Sequence, residues 1–154
     1  MKLLNNSEFS LKRVSDGTET ESPKSQLVID GKEVDSFVVG AVLEACVKHG
    51  NFYLIFTTND CPYEESLNIY FLNLSYDILD KAVLVWPYKT GLFEILDITQ
   101  SNLVDFKFFE EKSWQVEIFS HKRTLIPYIS EPRGVWRKLK LKHHFKIREK
   151  PILR

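Results

Sequence analysis

The sequence predicts a mainly β or α+β fold. The expected form is an antiparallel meander of about 8–10 short strands in two packed or strongly curved sheets, with at most one or two short helices. Three observations predict it. Aromatic residues reach 13% of the chain, with 11 Phe, 6 Tyr and 3 Trp, a composition that suits pleated, half-buried surfaces. Strict period-two alternation runs through Val104-Asp105-Phe106-Lys107-Phe108 and Trp114-Gln115-Val116-Glu117-Ile118. Brief polar turns separate the apolar runs throughout. With 154 residues, 44% hydrophobic and 27% charged, the chain is expected to form one domain, 1–154, able to bury its own core.

The elements follow in order. Glu8 to Val14 and Gln26 to Asp30 read as strands flanking the polar loop Ser15 to Ser25. Asp30-Gly31 tolerates the positive φ of a type I′ hairpin turn. Phe37 to Lys48 and Asn51 to Thr58 follow, with a hairpin at His49-Gly50. Ala41, Leu43, Glu44 and Ala45 favour a helix there, but Gly40 and the β-branched Val38, Val39, Val42 and Val47 favour strand. Leu67 to Leu74, Leu79 to Trp86, Leu92 to Thr99, Leu103 to Phe109 and Ser113 to Ser120 complete the meander. Turns are expected at Ser75-Tyr76-Asp77, Pro87 to Gly91, Ser101-Asn102 and Glu111-Lys112. Pro127, Pro132 and Gly134 make Leu125 to Gly134 an extended connection. Val135 to Ile147 then reads as one strand, with Val135, Leu139, Leu141, Phe145 and Ile147 on one face, interrupted by Arg137 and His143. The helical reading of the same segment gives a poorer stripe.

Charge is segregated. The 21 basic and 21 acidic residues cancel overall. Residues 122–154 nevertheless hold 11 basic residues against Glu131 and Glu149, a net +9, and residues 1–121 carry the compensating −9. This basic C-terminal segment is expected to pack on the sheet, and such asymmetry suits either a charged partner or internal pairing.

Catalytic and metal chemistry find little support. The four histidines lack metal-ligand spacing, and adjacent His143 and His144 point to opposite faces of a strand. No nucleophile elbow and no glycine-rich phosphate loop occurs. Cys61 is the one plausible nucleophile, but Asp60, Glu64 and Glu65 around it oppose thiolate formation. Cys46 sits in an apolar run and reads as a small buried hydrophobe. The expectation is therefore a chain that is not an enzyme, with no cofactor and no bound metal. The longest uncharged apolar stretches, Phe37 to Leu43 and Ala82 to Tyr88, fall far short of a membrane-spanning helix. No secretory signal is visible after Met1, so a cytoplasmic protein is expected.

Two charged surfaces are candidate contact sites. The acidic candidate is Asp60, Glu64, Glu65, Glu110 and Glu111, in two turns, which would steer a basic partner. The basic candidate is Trp136, Arg137, Lys138, Lys140, Lys142, His144 and Lys146, cations interleaved with aromatics. The same lysines equally suit an outer strand protected against edge-to-edge pairing.

The stretches YLIFTTNDCPYEESLNIYFLN, FKFFEEKSWQVEIF and EPRGVWRKLKLKHHFKI together resemble a group of small bacterial proteins. Some of these are similar to immunity proteins of contact-dependent growth inhibition loci, each of which neutralises one cognate toxin. The resemblance implies a cytoplasmic, non-catalytic inhibitor that binds its toxin 1:1 through surface charges and aromatics. It carries over no particular residue. The alternative from another class is a nucleic-acid-binding domain using the basic C-terminal face.

Overall fold

The computed structural model describes residues 1–61, 65–86, 89, 91–109 and 112–150. Among them the chain is all-β, with three antiparallel sheets and no helix. The middle sheet is a meander of β5 (Val42–His49), β6 (Phe52–Thr58), β7 (Ser66–Asn73) and β8 (Ile78–Val85). Two short strands, β1 (Lys2–Leu3) and β12 (Val135–Trp136), pair with its outer strands. A second sheet contains β2 (Phe9–Ser15), β3 (Lys24–Ile29) and β4 (Lys32–Val39). The third runs β13-β11-β10-β9, from β13 (Lys142–Lys150) through β11 (Ser113–Thr124) and β10 (Leu103–Lys107) to β9 (Glu94–Asp97).

The middle sheet is apolar on both faces, and this arranges the layers. Along β6, Leu54 and Phe56 enter a core shared with Phe106, Trp114, Val116, Phe145 and Ile147 of the third sheet. Tyr53 and Ile55 enter a core shared with Phe9, Leu27 and Val38 of the second sheet. A strand buried on both faces reads as a continuous apolar run, which is why FYLIF and LNIYFL lack the alternation seen in β10 and β11. The small sheet is tied to the middle one by hydrogen bonds. Val39 N donates to Tyr70 Oη at 2.8 Å, and Ser36 Oγ donates to the Tyr76 carbonyl at 2.6 Å.

Two expected elements divide. The strand expected over residues 37–48 breaks at Gly40-Ala41, where the chain leaves one sheet and enters another. Gly40 has φ +137°, and a Cβ built there would stand 2.4 Å from Thr57 Oγ1. Only glycine fits so close to that side chain. The strand expected over residues 135–147 also divides, into β12 and β13. Residues 137–141 belong to neither, so Leu139 and Leu141 leave the apolar face assigned to them and lie exposed. The expected Asp30-Gly31 turn is present, with φ +50° and +80°.

Candidate functional site

The break at residues 137–141 organises the C-terminal surface. Arg137 and His143, the two polar residues that interrupted the apolar face in sequence, both turn inward. They meet Asp80 from β8 and Glu131 from the connection before β12. Arg137 Nε donates to Glu131 Oε1 at 2.7 Å, and Nη2 donates to Oε2 at 3.1 Å and to the Phe145 carbonyl at 2.7 Å. Its Nη1 donates to Asp80 Oδ1 at 3.0 Å. The guanidinium also lies over the Phe145 ring, 4.3 Å from its centroid.

Backbone and histidine complete the network. His144 N donates to Asp80 Oδ2 at 2.7 Å, and Ile147 N donates to Glu131 Oε2 at 2.9 Å. His143 Nε2 donates to the Lys140 carbonyl at 2.7 Å. Its Nδ1 lies 3.0 Å from both Asp80 Oδ1 and Arg137 Nη1, donating to the first or accepting from the second. The side chains of Arg137 and Asp80 are only 8% and 2% exposed. Among the described residues no buried side-chain nitrogen or oxygen is left without a partner. Such a network ties β8 and β13 to the connections on either side of β12.

This changes the basic candidate. Arg137 is buried in the network and cannot belong to an exposed basic face. His144 is half-buried and stacks on Phe71 at 5.1 Å, and burial lowers its pKa from the ordinary histidine value. Lys142 is exposed and Lys146 half-buried on β13, opposite Thr124 and Glu117 of β11. Trp136, Lys138 and Lys140 remain together at the surface.

Around them the structure gathers residues that sequence reasoning had not singled out. Tyr128 is 95% exposed, Leu139 90% and Ile129 76%, and Ile126 and Leu141 are also exposed. A groove of about 580 Å³ runs along this stretch, lined by Ile126, Tyr128, Pro132, Arg133, Trp136 and Leu139. Its walls are hydrogen-bonded. Leu125 N donates to the Leu141 carbonyl at 3.0 Å, Ile126 N donates to Ser130 Oγ at 2.8 Å, and Glu131 is clamped by Arg137. The signal for it in sequence was the pairing of Pro127-Tyr128-Ile129 with Leu139 and Leu141 around Gly134, large apolar residues in a connection too irregular to bury them.

Of the acidic candidate, Asp60 and Glu65 lie among the described residues. Glu65 folds its own loop, accepting from Asn59 N at 2.8 Å and from Cys61 N at 3.2 Å. Asp60 is exposed, 3.7 Å from Arg13. Glu64, Glu110 and Glu111 lie outside the described residues, as do Pro87, Tyr88 and Thr90 of the expected loop. Cys46 is buried, and burial pushes its thiol pKa up; Cys61 is exposed, and both are free. Among the described residues no group of His, Cys, Asp and Glu could hold a metal ion, and no helix could cross a membrane. The chain matches no family model, no curated protein and no solved structure.

Proposed function

We propose that the chain is a non-catalytic protein-interaction module, an immunity protein that binds and neutralises a cognate toxin, and that residues 126–142 form its contact surface. The observation that carries this reading is the set of exposed large apolar side chains, Ile126, Tyr128, Ile129, Trp136, Leu139 and Leu141, beside Arg133, Lys138, Lys140 and Lys142. Exposed apolar clusters rimmed by charge are typical of protein contact sites. The clamp on Glu131 and Arg137 fixes the loops in advance, which lowers the entropy lost on binding. The lysine rim favours an acidic partner surface and a fast, salt-sensitive encounter.

Affinity capture from nuclease-treated bacterial lysate tests this, with wild type and two variants compared. The expected result is one stoichiometric protein retained by wild type and lost with Leu139→Asp. Its affinity should fall by about 2 kcal/mol or more, as for a central anchor residue. The captured protein should arrest growth when expressed alone and cease to do so when this chain is co-expressed. The rival reading, nucleic-acid binding, rests on half-exposed Trp136 beside Lys138 and Lys140. Capture of nucleic acid that Leu139→Asp retains, that charge reversal of Lys138, Lys140 and Lys142 abolishes, and that falls steeply with salt would replace the first reading by the second.

A further inference from the structure

A second groove, of about 530 Å³, lies where the edge of the middle sheet faces the edge of the small sheet. Strand β12 pairs only with Val83 and Leu84 of β8, so among the described residues the Ile78–Lys81 half of that strand has no paired strand on that side. Across the gap stands β4, the outer strand of its own sheet. The lining is apolar and partly aromatic: Phe37, Val38, Tyr70, Ile78 and Trp136. Its size falls within the range of small-molecule sites.

All but one of the charges around it are positive. Lys24, Lys81, Lys138 and Lys140 line the groove, and Asp80 is the one carboxylate among the described lining residues. Both oxygens of Asp80 are already engaged by Arg137, His143 and His144 N, so it does not neutralise the lysines. Lys140 Nζ donates to the Leu79 carbonyl at 3.0 Å. Lys24, Lys81 and Lys138 make no ion pair among the described residues. Lys81 is the informative member. It is half-buried, its ammonium sits 5.0 Å from the Tyr70 ring centroid, and burial together with nearby Lys138 lowers its pKa. A partly desolvated cation with only an aromatic face for company is costly to maintain, and an anion entering the groove removes that cost. Tyr70 itself is held in place by Val39 N, and burial pushes its pKa up to about 12, so it stays neutral beneath the ammonium.

We propose that this groove binds a small apolar carboxylate, its body on Phe37, Val38, Ile78 and Trp136 and its carboxylate between Lys81 and Lys138. The site is separate in chemistry from the protein contact surface, although the 136–140 segment borders both.

Decanoate, titrated below its micelle concentration into the full chain and followed by amide chemical shifts, tests the site. Decanol supplies the same tail without charge. One saturable decanoate site is expected, with shifts centred on residues 37–39, 78–81 and 136–140. Decanol should bind about tenfold more weakly, the factor one charge-assisted contact supplies. Lys138→Ala, at an exposed position, and Lys81→Met, which keeps the aliphatic stem over Tyr70, should each weaken decanoate severalfold and leave decanol unchanged. Absence of saturable binding, equal affinity for decanol, or unchanged decanoate affinity in Lys138→Ala would overturn the proposal. Protein capture by residues 126–142 is read separately, so either result stands whatever the fate of the other.

Discussion

Asp80 illustrates how much one carboxylate can organise. It accepts from Arg137, lies against His143 and accepts from His144 N, joining the edge of the middle sheet to β13. Asp80→Ala leaves those donors buried and Arg137 with half its counter-charge. Removing one member of a buried ion pair costs about 3–5 kcal/mol, so the urea midpoint should fall sharply. The companion variant Lys138→Ala, at an exposed position, should leave it unchanged. The cysteines give a second residue-scale test. Cys61 is exposed and Cys46 is buried, and burial raises the Cys46 thiol. One thiol should react with Ellman's reagent in the native protein and a second only after denaturation. Arg137 also marks a limit of reading residues singly. In sequence it belongs to a run of five cations, and nothing in its immediate neighbours distinguishes it from Lys138. The distinction lies in phase, because Arg137 and His143 occupy inward positions of the strand pattern. A polar residue in an inward register needs buried partners, and those partners, Asp80 and Glu131, come from elsewhere in the chain.

Elements were legible where one face is buried and the other wet. The sequence alternates strictly through β10 and through Trp114 to Ile118 of β11, and the expected positions of both strands agree with the structure to within a few residues. The Asp30-Gly31 turn was legible from its dipeptide alone. The corner at Gly40 was not, because a change of sheet leaves no hydrophobic signal when the residues on both sides, Phe37 to Val39 and Val42 to Leu43, are apolar. Its trace is the glycine itself. Gly31 and Gly40 both have positive φ, but a Cβ at Gly31 meets open space while one at Gly40 meets Thr57. Gly31→Ala should therefore cost about 1 kcal/mol from backbone conformation alone. Gly40→Ala adds a steric clash in a packed interior and should cost roughly 3 kcal/mol or more. Chemical denaturation of the two variants side by side separates conformation from crowding. The 137–141 break was illegible for a related reason. Period two continues through Leu139 and Leu141 in the sequence, so nothing in the pattern marks where the backbone leaves both sheets.

At the scale of the whole molecule, stability should depend on pH through groups far apart in the fold. Burial lowers the pKa of both His49 and His144 below the ordinary histidine value of 6.5. The unfolded chain then takes up protons before the folded one, so stability is complete above about pH 6.5 and falls as pH drops below it. Glu8 and Asp97 follow at lower pH. Backbone hydrogen bonds hold their carboxyls below the ordinary values, and their contribution is lost as they protonate. Urea midpoints should decline in two stages on acidification, and His144→Phe, which keeps a ring against Phe71, should flatten the first. The three layers were half legible in sequence: packed antiparallel sheets follow from turns and alternation, but a middle sheet with two wet-excluding faces looks, in one dimension, like any apolar run. That middle sheet has a consequence for how the chain finds its fold. In a strand with one wet face, a one-residue slip drives apolar side chains into water and is rejected at once. A slip of β6 merely exchanges Leu54 and Phe56 with Tyr53 and Ile55, apolar residues for apolar residues. Hydrophobicity is thus nearly silent about alignment at the centre of the molecule. Alignment depends instead on polar pins at the end of the strand: Thr57 Oγ1 bonded to the Val39 carbonyl and Asn68 bridging to Thr57 and Asn59. The most buried part of the protein takes its register from its few hydroxyls and amides.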